Sequence, residues 1–201
     1  NEIGIDFSKI GYCAGHSLCE YSALVATKSL ELATAAKLLK LRGISMQKAV
    51  PIGQGAMAAL IGSSIEEVEQ LIRCINDQSA DLVCNVANDN APGQVVISGH
   101  IEAIDAAIEL SANFGAKKAL KLPVSAPFHC SLMQPAADVM SEALGESNII
   151  DPITPIIANV NAKPETQAEK ITELLVRQVT ARLRWVETIK YAKKNDKKKD
   201  I

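Results

Sequence analysis

Between residues 55 and 124 the sequence states one pattern twice, strand then helix then strand, and this repetition constrains the fold more than any other feature. In the first copy, residues 56–61 read as a strand, residues 64–77 as a helix and residues 82–86 as a second strand. Ile65, Val68, Leu71, Ile72 and Ile75 mark the helix, because they recur every three or four residues and so share one face. In the second copy, residues 94–98 read as a strand, 101–114 as a helix and 118–124 as a strand. The resulting β-α-β-β-α-β order predicts a small ferredoxin-like domain over residues 54–124, with Asn88-Asp89-Asn90-Ala91-Pro92-Gly93 as the turn joining its halves.

The flanking segments read as α/β. Residues 9–14 are a short apolar strand candidate, Gly15-His16-Ser17 a sharp turn, and residues 18–26 a helix. Ser29 is placed to cap the next helix, with Glu31 in its first turn. Leu32, Ala35, Ala36, Leu39, Gly43, Met46 and Val50 form its expected buried face, Pro51 its stop, and Arg42 sits at the edge of the stripe. After residue 125 come a helix (132–144), a strand (153–160) and helices (169–179 and 185–192) that run into a lysine-rich tail, read as a solvated end. A length of 201 residues, against about 150 per domain, fits one core made of residues 1–53 and 125–201 with residues 54–124 inserted.

Composition narrows the function. A net charge of −2 and 3% aromatic residues leave neither a field nor a stacking platform for nucleic acid. Five cysteines without a C-x-x-C pair and three scattered histidines predict no disulfide framework and no metal site, as expected of a reduced cytoplasm. No apolar run reaches the ~18 residues that span a bilayer, and the first eight residues lack the basic cluster of a signal peptide. The chain opens on Asn1 rather than Met, just ahead of the strand candidate, which points to sequence missing before it.

Gly15-His16-Ser17-Leu18-Cys19 carries four-fifths of a G-x-S-x-G nucleophile elbow, in the strand-turn-helix setting that the motif needs. Such a turn lifts the Ser17 hydroxyl over a helix N-terminus, whose free N–H groups favour developing negative charge; Ser17 as a plain helix cap is the other reading. A serine nucleophile needs a base. His16 would point away from the turn and His100 lies in an exposed-looking Ser-Gly-His turn, so His129, between a strand and a helix, is the better candidate, with a packing role as the alternative. Arg42 either snorkels to the surface or offers its planar fork to a carboxylate through two parallel hydrogen bonds.

Four ordered stretches then carry a resemblance: G-H-S-L-C-E-Y-S-A-L (15–24), L-L-K-L-R-G-I-S-M-Q-K-A-V-P (38–51), N-D-N-A-P-G-Q-V-V-I-S-G-H (88–100) and L-P-V-S-A-P-F-H-C-S-L-M-Q-P-A (122–136). Together they resemble the bacterial malonyl-CoA:acyl-carrier-protein transacylases of fatty-acid synthesis. The resemblance implies an α/β-hydrolase-like core with a ferredoxin-like insertion, acting as a monomer in the cytoplasm. It implies Ser17 as the acylated serine, His129 as base and acid, Arg42 as the holder of the malonyl carboxylate and the Leu18 N–H as an oxyanion donor. Asn90 and Gln94 would lie along the pantetheine arm. Malonyl-CoA and acyl carrier protein are the implied partners, with no metal or redox cofactor. Because carrier proteins are acidic, Lys117, Lys118, Lys121 and Lys190 are the expected docking charges.

The sequence departs from that family in three places. Cys19 stands where the family has a glycine that lets the helix start lie against neighbouring backbone, so some distortion is expected there. Nothing ahead of Asn1 supplies the family's Gly-Gln-Gly loop and second oxyanion donor. Nothing after the last helix supplies the Gly-Pro-Gly segment expected to orient the histidine, so a loosely held base and low stability follow. Two rival functions remain: a non-catalytic truncated remnant, and a serine esterase or thioesterase, which would want an acidic triad member that no obvious loop provides.

Overall fold

Residues 10–78 and 81–195 are described by a computed structural model of the chain. In order, its elements are α1 (Cys19–Ala26), α2 (Leu32–Lys48), β1 (Gly55–Ile61), α3 (Ile65–Gln78), β2 (Cys84–Ala91), β3 (Gln94–His100) and α4 (Ile101–Leu110). Then follow β4 (Lys118–Lys121), α5 (Gln134–Gly145), β5 (Ile156–Ile157), β6 (Pro164–Glu165), α6 (Ala168–Gln178) and α7 (Trp185–Lys194). The fold is α/β.

The repeated pattern forms one antiparallel sheet in the order β2-β3-β1-β4. Ala56, Ala58, Leu60, Val95 and Ile97 face α3 and α4, meeting Val68, Leu71, Ile72, Ile75, Ile104 and Ala107 in one core. The alternate residues Met57, Ala59 and Val96 turn to the opposite face and meet Phe128. Burial on both faces explains why β1 and β3 read as continuous apolar runs rather than as alternation. Helix α3 begins with a capping box: the Ser64 hydroxyl accepts from the Glu67 N–H at 3.2 Å while the Glu67 carboxylate accepts from the Ser64 N–H at 2.7 Å, satisfying two donors left free at a helix start.

Several local expectations need correction. The turn between the halves is only Pro92-Gly93, with Gly93 at φ +73°; Asn88 to Ala91 belong to β2. β4 stops at Lys121, where Leu122 still donates to the Met57 carbonyl at 2.8 Å but Pro123 has no N–H to continue the ladder. His100 ends β3, half buried, with Nδ1 accepting from the Val83 N–H at 2.8 Å, and is not in an exposed turn.

The second core packs α1, α2, α5 and α6 around Tyr21, Leu24, Leu38, Met133, Met140 and Leu175. In α2 the buried face is Ala35, Leu38, Arg42 and Met46, while Leu32 and Gly43 are exposed. Arg42 therefore lies on the stripe, not at its edge. Ser29 caps nothing; its hydroxyl donates to the Ile150 carbonyl, and Glu31 takes the N-cap position. The expected strand over 9–14 is reduced to one parallel bridge, Cys13 to Ile156, and its first residue, Lys9, lies outside the described residues. The strand expected over 153–160 shrinks to β5, because the chain folds back at once: Ala158 N–H donates to Lys163 at 3.1 Å and Ala162 sits at φ +52°. The first eight residues and most of the lysine-rich tail also lie outside the described residues.

A strap joins the two cores. Leu183 pairs in parallel with Asn88, its N–H donating to Ala87 at 2.8 Å and its carbonyl accepting from Asp89 at 2.9 Å. Beside it Arg182 reaches Glu69 of α3 at 2.8 Å and Glu187 of α7 at 3.1 Å.

Candidate active site

Ser17 sits at φ +53°, a left-handed conformation that costs a residue with a side chain about 1–3 kcal/mol and that the surroundings must hold in place. They do so from several sides. The Cys19 and Glu20 N–H groups donate back to the His16 and Ser17 carbonyls at 3.1 and 3.0 Å, closing the turn. The Asn159 side chain grips it, Oδ1 accepting from the Ser17 N–H at 2.7 Å and Nδ2 donating to the Gly15 carbonyl at 2.8 Å. At Gly15 a Cβ would lie 2.0 Å from the Cys19 carbonyl oxygen, so the close approach of helix start and turn requires glycine there. Cys19 is exposed and is the first residue of α1.

The Ser17 hydroxyl is held between two partners. His129 Nε2 lies 2.9 Å away, and Arg42 Nη2 donates to Oγ at 3.2 Å. His129, itself at φ +59°, has its Nδ1 2.8 Å from the Gln178 main-chain carbonyl. A carbonyl can only accept, so Nδ1 carries the proton and Nε2 is free to take the serine's. Burial pushes the His129 imidazole down to about 3, helped by the Arg42 charge and resisted by the Gln178 hydrogen bond, so the ring is neutral around pH 7. The His129 ring is therefore held within this chain, by the end of α6. The main-chain carbonyl that meets its Nδ1 is that of Gln178, where a Gly-Pro-Gly segment was expected to orient the ring.

Beneath these groups lies a buried polar layer that the sequence reading missed. Gln178 Oε1 accepts from Arg42 Nη2 at 3.0 Å, and its Nε2 donates to the Ser17 carbonyl at 3.1 Å and to Glu20 Oε2 at 2.7 Å. Glu20 Oε2 also accepts from the Asn159 N–H at 3.3 Å. Burial raises the Glu20 carboxyl to about 7, against the lowering effect of Gln178, Asn159 and Arg42. Burial also pulls the Arg42 guanidinium below its ordinary value, and its Nε has no partner among the described residues. The available signal was a lone polar residue inside an apolar run, as at Asn159 in I-I-A-N-V or Glu20 beside Tyr21, because such residues are buried only for a reason.

The cavity above Ser17 has a volume of about 410 Å³ and is lined by His16, Leu18, Arg42, Met57, Asn88 and His129 among others. Ser17, His129, Arg42 and Leu18 thus come together as expected, and the Leu18 N–H makes no hydrogen bond among the described residues. Asn90 and Gln94 do not line the cavity. Asn90 Oδ1 instead accepts from His16 Nε2 at 2.8 Å, holding a ring that also meets Trp185 edge-on at 5.3 Å. Gln94 is exposed at the hairpin end of β3, opposite Ile61. Asn88 takes the wall position, its Oδ1 buried and unpaired among the described residues; reading Asn88 to Gly93 as a turn concealed it. A larger cavity of about 670 Å³ lies between β6 and α7, and its lining has no serine, cysteine or histidine. Among the described residues no His, Cys, Asp and Glu cluster could hold a metal ion, and no helix is long and apolar enough to cross a membrane.

Known proteins share this sequence and fold. The malonyl CoA-acyl carrier protein transacylase of Escherichia coli K12 is 43% identical over 178 residues, which are 89% of this chain and 57% of that protein. The crystal structure of the acyl-carrier-protein-S-malonyltransferase from Bartonella henselae superposes with a TM-score of 0.92 at 48% identity, covering 96% of this chain and 61% of that one. A malonyl-transacylase in complex with a type II PKS acyl-carrier protein superposes with a TM-score of 0.88 at 40% identity, over 92% of this chain and 59% of its own. The chain thus spans under two-thirds of the length of these relatives. Residues 9–198 match the acyl transferase domain, and the chain belongs to that family.

Proposed function

We propose that this chain moves a malonyl group from malonyl-CoA to the phosphopantetheine thiol of an acyl carrier protein, through an ester on Ser17. The observation that carries the reading is the Ser17 hydroxyl held 2.9 Å from a neutral imidazole and 3.2 Å from a buried guanidinium. In the first half-reaction His129 Nε2 takes the hydroxyl proton as Oγ bonds to the thioester carbonyl carbon; the C–S bond breaks and the proton passes to the CoA sulfur. In the second, the carrier thiol gives its proton to His129 and attacks the ester, and Ser17 recovers the proton as it leaves. The free Leu18 N–H at the start of α1 is the donor to the oxyanion. Arg42 meets the malonyl carboxylate, trading its contact to Oγ for a bidentate pair. Asn88, on the cavity wall, suits a polar contact to the pantetheine arm, while Asn90 acts through His16 and Gln94 stays at the outer edge.

Every step is a proton or acyl transfer that these side chains perform, so the reaction needs no metal or redox cofactor. Ser17, His129 and Arg42 meet within one chain, so a monomer suffices for their roles. An esterase or thioesterase is less favoured, because a main-chain carbonyl rather than a carboxylate orients His129, and a hydrolase has no use for Arg42 beside the serine. The architecture that suits the reading is an α/β-hydrolase-like core of residues 1–53 and 125–201 carrying a ferredoxin-like subdomain at 54–124. The antiparallel order β2-β3-β1-β4 with both helices on one face supports the subdomain. The test is mass spectrometry of the chain after exposure to malonyl-CoA. One malonyl group on the Ser17 peptide is expected; an unchanged mass in a folded sample, or label on Cys19, contradicts the proposal.

A further inference from the structure

We propose that Glu20 is a positioning residue for the nucleophile, the base and the guanidinium together, acting through Gln178 and Asn159; the proposal rests on the reading of Ser17 and His129 as a reacting pair. Glu20 is 1% exposed and Gln178 fully buried, so water cannot satisfy either. The Gln178 amide lies between Arg42, which can only donate, and Glu20 Oε2, which also takes the Asn159 N–H and so stays an acceptor when the carboxyl carries its proton on Oε1. A single orientation then satisfies both, Oε1 toward Arg42 Nη2 and Nε2 toward Glu20 Oε2. That orientation also sends Nε2 to the Ser17 carbonyl, and the same residue's main-chain carbonyl receives His129 Nδ1–H. On its other side Glu20 Oε2 takes the Asn159 N–H, and the Asn159 side chain clasps the turn at Gly15 and Ser17.

One buried carboxyl therefore anchors both arms of the site. Without it, the Gln178 amide can flip, Arg42 loses its acceptor, and the spacing between Ser17 Oγ and His129 Nε2 is no longer enforced. Glu20 touches neither substrate nor the reacting atoms, so its loss should slow bond formation rather than weaken substrate capture.

The test is a double-mutant cycle in the full chain: wild type, Glu20→Leu, Glu20→Gln, Gln178→Ala and the Glu20→Leu/Gln178→Ala pair. Single-turnover acylation of Ser17 is followed by mass with two reagents, malonyl-CoA and a fluorophosphonate that needs only an activated serine. Displacing a reacting group by about 1 Å costs on the order of 10²-fold, so Glu20→Leu is expected to slow both reagents by about 10²-fold while half-saturation by malonyl-CoA moves less than about threefold. Glu20→Gln keeps an acceptor oxygen and should recover about tenfold of that loss. The pair should be within about threefold of Glu20→Leu alone, because both changes break the same chain of contacts. Losses that multiply in the pair, a Glu20→Leu rate within about threefold of wild type, or a wild type inert to the fluorophosphonate each overturn the proposal. Should Glu20→Leu not fold, the same cycle run with Glu20→Gln decides it. A wild type that takes the fluorophosphonate but not malonyl-CoA contradicts the malonyl reading alone.

Discussion

At the scale of the residue, Arg42 makes the sharpest chemical distinction. Only a carboxylate-bearing acyl group offers its guanidinium a charged partner on the substrate, so Arg42→Ala should lose malonyl transfer while acetyl transfer is kept or raised. A charge-assisted contact contributes about 1.5–3 kcal/mol, which is on the order of 10- to 100-fold in selectivity between the two thioesters. Equal loss with both would make Arg42 structural. Titration supplies a second prediction. His129 is held at about 3, below its ordinary 6.5, so its contribution to stability is complete above pH 6.5 and is lost as pH falls toward 3. Glu20 is raised from 4.5 to about 7, so its contribution is complete below pH 4.5 and is lost as pH rises through 7. In thermal melts Glu20→Gln should therefore shift the difference in stability between pH 8 and pH 4.5 toward pH 8. An unchanged difference contradicts an ionisable, buried Glu20.

At the scale of the element, the capping box at Ser64 and Glu67 predicts that Ser64→Ala costs α3 about 1 kcal/mol in chemical unfolding. Since α3 packs on the sheet face away from the cavity, Ser17 acylation should stay at the wild-type rate; a slower rate would mean that the two cores are coupled more tightly than the strap at Leu183 implies. Elements of this kind were legible from sequence because each buries a whole face: α3 shows five apolar residues at helical spacing, and β1 an unbroken apolar run. Residues 9–14 and 153–160 share that apolar character, yet among the described residues they make only the Cys13 bridge and the two residues of β5, since pairing depends on neighbours that local pattern does not encode. The site divides the same way. Ser17, His129 and Arg42 stood out by chemical type and motif, whereas Gln178, Asn159 and Glu20 act through contacts spanning more than a hundred residues, as from Ser17 to Asn159 and from Glu20 to Gln178.

At the scale of the whole molecule, the chain matches the acyl transferase domain over residues 9–198 and brings Ser17, His129, Arg42 and their buried polar support into one site. These groups come from the turn before α1, from α2, from the segment leading into α5 and from the end of α6, so the site forms only when the second core is assembled. The central claim is that this assembly makes Ser17 an acyl acceptor. The most direct measurement is peptide mass spectrometry of the intact chain mixed with malonyl-CoA, beside His129→Ala. The account predicts a malonyl ester on Ser17 in the wild type, formed at least about 10²-fold more slowly in His129→Ala, as befits loss of a general base. A folded wild type that stays unmodified, or a His129→Ala variant that acylates equally fast, would contradict it.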